Sequence, residues 1–270
     1  MTETEILLTH IRKCRRVDLY VDAPPLSDVE RNLLHAMKER RRGGVPLQYI
    51  VGQCEFLGLT IFVDERALIP RPETELLADK AIERCGRSGW ENPRILDIGT
   101  GSGNLAVALA KHLPRSFVTA LDISQAALDL AAENAKINSV DERIIFIRSD
   151  VFSTLRSLAG FPARFDLIVA NPPYIPSGEL PNLPVDVRKE PVQALDGGTD
   201  GLQFYRRIIA EAPEHLEDSG ALMMEFGDGQ ATAIKKLFEG SGKYSGVRFY
   251  KDLNGKHRFL VAESKNPWKS

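Results

Sequence analysis

One stretch constrains this chain more than any other: Leu96-Asp97-Ile98-Gly99-Thr100-Gly101-Ser102-Gly103, set between an apolar run and a helical pattern. Its glycines permit positive φ and let bare backbone approach a ligand. Open α/β sheets bind nucleotides at such turns, beyond the carboxyl ends of their strands. The surrounding pattern agrees. Residues 94–98 read as a buried strand and about 103–113 as a helix. Residues 117–121 read as a second strand, and Ser124 caps an Ala/Leu-rich helix to about 137. Strands at 144–147 and 165–170 follow, then a helix over about 201–217, a strand at 221–226 and a helix over about 229–239. Runs at 247–251 and 258–262 flank Asn254-Gly255, a strong short hairpin signal. The expected fold is α/β: a doubly wound, seven-stranded, mostly parallel sheet ending in an antiparallel C-terminal hairpin, Rossmann-like.

Residues 1–75 read differently. Ile6, Leu7 and Ile11 suggest a short amphipathic helix. Ser27 with Glu30 forms a capping box opening a second helix, on which Val29, Leu33 and Met37, with Leu34 beside them, make one apolar face. Arg40, Arg41 and Arg42 suit the last turn of that helix as solvated charges favoured by the macrodipole, and Gly43-Gly44 stop it. Alternation over 54–63, with Leu59, Ile61 and Val63 on one side, predicts a β-hairpin. The expected domains are a helical one at 1–53, a hairpin linker at 54–75 and the sheet domain at 76–270. Internal repeats and low-complexity segments are not visible.

Composition narrows the function classes. The 270 residues are 43% hydrophobic and 27% charged, as in a globular chain with a real core. No run nears the roughly 18 apolar residues of a membrane span, and the acidic start lacks the basic region of a signal peptide. Cys14, Cys54 and Cys85 are odd in number and widely spaced, which disfavours a disulfide framework or zinc site and favours a reducing cytoplasm. The net charge is −2, and residues 1–75 hold 11 Lys/Arg against 12 Asp/Glu. Nucleic acid is therefore not the expected partner, since phosphate contacts need a cationic face.

The ligand of the glycine loop follows from its neighbours. Asp122 lies 19 residues after Gly103, where a carboxylate accepts from both ribose hydroxyls. Asp97 precedes the first glycine by two residues. An acid there suits an ammonium or a hydrated amino-acid moiety better than a pyrophosphate, which favours S-adenosylmethionine over NAD. Asp150, after the third strand, suits the adenine amino group; its alternative is a helix N-cap before residues 151–158. Asn171-Pro172-Pro173-Tyr174 follows the fourth strand. Two prolines fix φ and remove two donors. That leaves the Asn171 side-chain oxygen and the Pro172 carbonyl to accept the two in-plane hydrogens of an NH2 group, with the Tyr174 ring packed on its plane. Such acceptors orient a weakly nucleophilic nitrogen in line with a methyl donor. A rigid turn without chemistry is the bland alternative. No general base is required, and none of the five histidines lies in either loop.

The glycine loop, Asp122 and the Asn-Pro-Pro-Tyr loop together resemble class I S-adenosylmethionine-dependent amino-methyltransferases. Further segments resemble the HemK/PrmC family of peptide chain release factor glutamine N5-methyltransferases. These are Pro46-x-Gln48-Tyr49-Ile50-x-Gly52, Ile69-Pro70-Arg71-Pro72-Glu73-Thr74-Glu75, Glu190-Pro191, Ala194-Leu195-x-Gly197-Gly198-x-Asp200-Gly201-Leu202 and Tyr205-Arg206. The resemblance covers nearly the whole chain. It implies methyl transfer to the side-chain amide of the glutamine in the Gly-Gly-Gln motif of class 1 release factors. It also implies S-adenosyl-L-methionine as cofactor, S-adenosyl-L-homocysteine as product, no metal and a monomer. Cofactor binding then falls to Asp97, Gly99, Thr100, Gly101, Ser102, Gly103, Asp122, Asp150, Val151 and Asn171, with Arg71 and Thr74 from the linker side. Asn171, Pro172, Pro173 and Tyr174 grip the glutamine amide, and the N-terminal domain helps hold the release factor. The alternatives are a DNA or RNA methyltransferase acting on adenine N6 or guanine N2, which uses a similar loop on a flipped base, and a nucleotide-dependent oxidoreductase or binding module.

Overall fold

A computed structural model describes residues 1–21, 24–157 and 164–265. Three helices come first: α1 (Glu3–Arg12), α2 (Asp28–Arg42) and α3 (Leu47–Val51). Capping boxes open α1 at Thr2/Glu5 and α2 at Ser27/Glu30. Leu7, Met37 and Ile50 form their small core, with Ile11 and Leu34 packed against it. Only part of the expected α2 face is buried. Met37 is covered and Leu34 packs beside it, whereas Val29 and Leu33 are exposed. The hairpin β1 (Gln53–Phe56) and β2 (Leu59–Phe62) turns back through Leu57 and Gly58, both at positive φ. Phe56, Ile61 and Val63 enter the core of the main sheet.

The main unit then runs α4 (Pro72–Arg87), β3 (Arg94–Ile98), α5 (Asn104–His112), β4 (Phe117–Asp122), α6 (Gln125–Ile137), β5 (Ile144–Arg148), β6 (Phe165–Ala170), α7 (Gln203–His215), β7 (Leu216–Glu225), α8 (Ala231–Ser241), β8 (Tyr244–Lys251) and β9 (His257–Ser264). The seven strands lie in the order β5-β4-β3-β6-β7-β9-β8, parallel from β5 to β7, with β9 antiparallel to both neighbours. Central strands read as continuous apolar runs because both faces are covered. On one face Ile95, Val118 and Leu167 meet α4, α5 and the hairpin. On the other, Leu96, Ile168 and Leu222 meet α7 and α8.

Helix α4 is not announced by the sequence pattern, in which 69–75 reads as a motif followed by a domain boundary. Pro72 sits at its first turn with Glu73 and Glu75, and Arg84 and Arg87 close its last turn. Its Leu77, Ala78, Ala81 and Cys85 are buried. The short α3 was also not foreseen. β7 begins five residues earlier than expected, at Leu216. The C-terminal hairpin forms around Asp252–Lys256, where Asp252 Oδ1 accepts from the amides of Asn254 and Lys256, and Gly255 takes φ 78°. None of the described helices is long and apolar enough to cross a membrane.

Candidate active site

From β3 the chain moves outward to β4 and β5, then returns across the sheet to β6 on the other side of β3. Strand order reverses between β3 and β6, and the loops leaving these neighbours splay apart to form a crevice. Ile98 pairs with Ala170, so the glycine loop and the Asn-Pro-Pro turn start from adjacent strand ends. They border one cavity of about 570 Å³, within the range of small-molecule sites.

The floor is the glycine loop. The Gly99 and Thr100 amides both donate to the Leu121 carbonyl, at 2.8 and 2.9 Å. Gly99 has φ 72°, and no atom lies within 4 Å of where its Cβ would stand. Thr100, Gly101 and Ser102 also line the cavity. The Ser102 hydroxyl is buried and has no hydrogen-bond partner among the described residues. Asp122 closes this side. Its Oδ2 accepts from Gly101 N and its Oδ1 from Ser124 N, both at 2.9 Å. Burial raises its pKa, partly offset by those amides. Each oxygen keeps a lone pair for a ligand hydroxyl.

Two residues of the expected cofactor set do not line the cavity. Gly103, at φ 79°, caps α5, and an added Cβ would stand 2.8 Å from Ala131 Cβ. Its lack of a side chain serves helix packing. Asp97 is fully buried; its Oδ2 accepts from Thr100 Oγ1 at 2.6 Å, and its Oδ1 has no hydrogen-bond partner among the described residues. It braces the loop from below, and desolvation pushes its pKa up to about 7 against the Thr100 hydrogen bond. Asp150 and Val151 do border the cavity. Asp150 is exposed, with Oδ1 2.8 Å from Arg207 Nη1. Residues 151–154 form turns and Leu155–Ser157 a 3-10 turn, so Asp150 caps no α-helix up to there; residue 158 lies outside the described residues. Val151 holds φ 53°, uncommon for a β-branched residue.

Asn171, Pro172 and Pro173 form the opposite wall. Asn171 Nδ2 donates to Thr74 Oγ1 at 3.1 Å, and Thr74 Oγ1 donates to Glu225 Oε2 at 2.7 Å. Tyr174 departs from expectation: it does not line the cavity and packs into the α7/α8 layer instead. Gly227 makes room for it, since a Cβ there would lie 3.0 Å from Tyr174 Cδ2. Burial pushes the Tyr174 hydroxyl up to about 12. Gln230 Nε2 holds the Tyr174 carbonyl at 2.9 Å. Gly197 N donates to Ile175 O at 2.8 Å, and a Cβ at Gly197 would meet Tyr174 Cα at 2.8 Å.

Arg71 and Thr74 reach the cavity from the start of α4. Buried Glu190 holds that approach: Oε1 accepts from Arg71 Nη2 at 2.6 Å and Oε2 from Ile69 N at 3.0 Å. The sequence marked Glu190 only as part of a segment and gave no role to Glu225, Gln230 or Arg207. A carboxylate followed directly by proline in a polar loop was the available signal for Glu190. None of the five histidines lines the cavity. No metal-holding cluster of His, Cys, Asp or Glu occurs among the described residues.

The family model described as PrmC N-terminal domain matches residues 1–52, and that described as methyltransferase small domain matches residues 74–182. The release factor glutamine methyltransferase of Rhodopirellula baltica is 41% identical over 262 residues, 96% of this chain and 87% of that protein. That of Chlorobaculum tepidum is 42% identical over 95% of this chain and 87% of its own length. Among solved structures, the N-terminal domain of human METTL16 in complex with SAH has TM-score 0.56 at 16% identity, covering 97% of this chain and 94% of that one. That likeness shows the fold.

Proposed function

The chain belongs to the release factor glutamine methyltransferase family, and we propose that it moves a methyl group from S-adenosylmethionine to the side-chain amide nitrogen (N5) of the Gly-Gly-Gln glutamine of class 1 release factors. One observation carries this reading: the glycine loop with Asp122 and the Asn171-Pro172-Pro173 turn border the same cavity.

The residues present fit the cofactor. Bare backbone at Gly99 and Gly101 and the unpartnered Ser102 hydroxyl suit its polar amino-acid portion. The Asp122 oxygens suit ribose hydroxyls, and Asp150 with Val151 suits the adenine edge. When bound, it supplies a sulfonium-activated methyl group. The chain supplies position. Asn171 Oδ1 and the Pro172 carbonyl accept the amide hydrogens, fix the nitrogen and raise its electron density. Once the methyl has transferred, the nitrogen's proton is acidic and passes to water, so no side-chain base is needed. Arg71, held by Glu190, shapes the mouth. Tyr174 supports the turn through its backbone and its half-buried ring.

Binding energy from the rest of the partner must select one glutamine among many. In this reading residues 1–53 form the helical domain that helps hold the release factor, 54–75 the hairpin linker and 76–270 the transferase domain. The first unit reaches the cavity's surroundings directly: Arg41 pairs with Asp186, and Gly44 leaves room for Val185. The same reading makes the protein a cytoplasmic monomer.

The test is mass spectrometry of a purified release factor after incubation with enzyme and S-adenosylmethionine. The expected product carries one added methyl on the Gly-Gly-Gln glutamine. In cell extract with labelled cofactor, label that survives protease and is lost to nuclease would instead establish the base-modifying alternative.

A further inference from the structure

We propose that Thr74 and Glu225 are positioning residues whose relay fixes which end of the Asn171 carboxamide faces the substrate. The proposal rests on the role given to Asn171 above. Hydroxyl arithmetic decides the direction. Thr74 Oγ1 carries one hydrogen, and it is given to Glu225 Oε2 at 2.7 Å. Towards Asn171, Thr74 can therefore only accept, and it does so from Nδ2 at 3.1 Å. The NH2 end of Asn171 is thereby turned inward, where the Glu225 carboxylate also draws it, and Oδ1 is left for the cavity. A reversed amide would set two acceptors against each other. Thr74 is 1% and Glu225 3% exposed, so water does not compete for these bonds and an unmatched partner would be costly.

The anchor is a carboxylate at the end of β7, reached from several elements. Thr74 and Glu73 face it from α4, Asn171 and Tyr174 from the loop after β6, and Arg258 from β9. Tyr205 on α7 donates to its backbone carbonyl at 2.9 Å. Desolvation and the Glu73 charge raise the Glu225 pKa to about 7, while the Thr74 and Asn171 hydrogen bonds and Arg258 lower it. Protonation reverses the logic. A carboxylic acid can donate to Thr74, whose own hydrogen then turns towards Asn171 and permits the flipped amide. Falling pH through about 7 should thus loosen the orientation of Asn171 with the cofactor site left intact.

Two readouts test the relay. In the first, Thr74→Val lowers kcat roughly 10–100-fold, the scale of a small misplacement, and leaves S-adenosylmethionine affinity by calorimetry within about threefold. Thr74→Ser, which keeps the hydroxyl, restores most of the rate. A Thr74→Val kcat within twofold of wild type, or no rescue by serine, would overturn the proposal. The second needs no substrate. The Asn171 side-chain NH2 resonances, identified by their loss in Asn171→Ala, should titrate near neutral pH in the wild type and not in Glu225→Gln. Persistence of that titration in Glu225→Gln would equally overturn it, and this readout decides if Thr74→Val does not fold. If the wild-type enzyme methylates no release factor while its NH2 signals titrate as expected, the substrate reading fails and the relay stands.

Discussion

At the residue scale the roles separate by what each side chain touches. Asn171→Ala should leave cofactor affinity nearly unchanged and lower methyl transfer roughly 10²–10³-fold, the loss typical of a removed charge-stabilising contact. Calorimetry beside single-turnover rates separates the two effects, and an unchanged rate would remove Asn171 from the site. Asp122→Ala should do the reverse, weakening the cofactor first, because its two amide bonds also hold the loop at Gly101 and Ser124. Gly103→Ala should lower stability by about 1–3 kcal/mol through crowding against Ala131, visible as an earlier melting transition. Asp122 and Asn171 were legible because a short motif carries each beside a strand end. Glu225 was not: its partner Thr74 lies 151 residues away. At the end of an apolar strand it reads as an ordinary solvent-side carboxylate. Tyr174 and Gly103 show the opposite gap, since a motif names residue types without saying which way they point.

At the element scale the fold was readable wherever one periodicity ran long enough. The strands from β3 to β6 were found within a residue, because both-side burial writes itself as unbroken apolar runs. Helix α4 was lost because it begins inside a motif and has no side-chain N-cap bond. The coupling between elements was equally hidden. Asn134 on α6 receives the Phe62 amide at 2.7 Å and donates to Phe62 O and Ser102 O at 2.9 and 2.8 Å. One carboxamide thus joins the edge of β2 to the glycine loop. Asn134→Ala should cost about 1–3 kcal/mol for the orphaned groups. It should also speed hydrogen exchange at Phe62 and weaken cofactor binding together. Exchange confined to the hairpin, with unchanged cofactor affinity, would show the two ends to be uncoupled.

For the whole molecule, buried acids set an unusual pH balance. Asp97 and Glu225 have folded pKa values raised to about 7, chiefly by desolvation. Between about pH 4 and 7 the unfolded chain binds fewer protons at these sites than the native one, so stability falls as pH rises through that window. Glu5, Glu30 and Asp200 act oppositely. Hydrogen bonds from Tyr20, Arg12 and Arg206 hold them down to about 2, and the stability they add is lost as pH falls towards that value. The melting temperature should therefore peak in weak acid, near pH 4–5, while methyl transfer rises towards neutral pH. Asp97→Asn should flatten the decline between pH 5 and 7 in a melting series; an unaltered slope would remove Asp97 from the account.

Strand order also has a consequence for how the molecule is made. β9 is the last described strand, yet it lies between β7 and β8. Until it has been synthesised, the finished β7 presents an open row of amides and carbonyls, a template for any passing strand. The 39 residues from Glu225 to Ser264 take roughly 2–8 s to add at ribosomal speed. For that interval each nascent chain carries a sticky seam, and neighbouring chains on one messenger are the nearest partners. Chaperone dependence during synthesis, and insolubility of chains cut short before His257, follow from a single strand arriving late at an interior place.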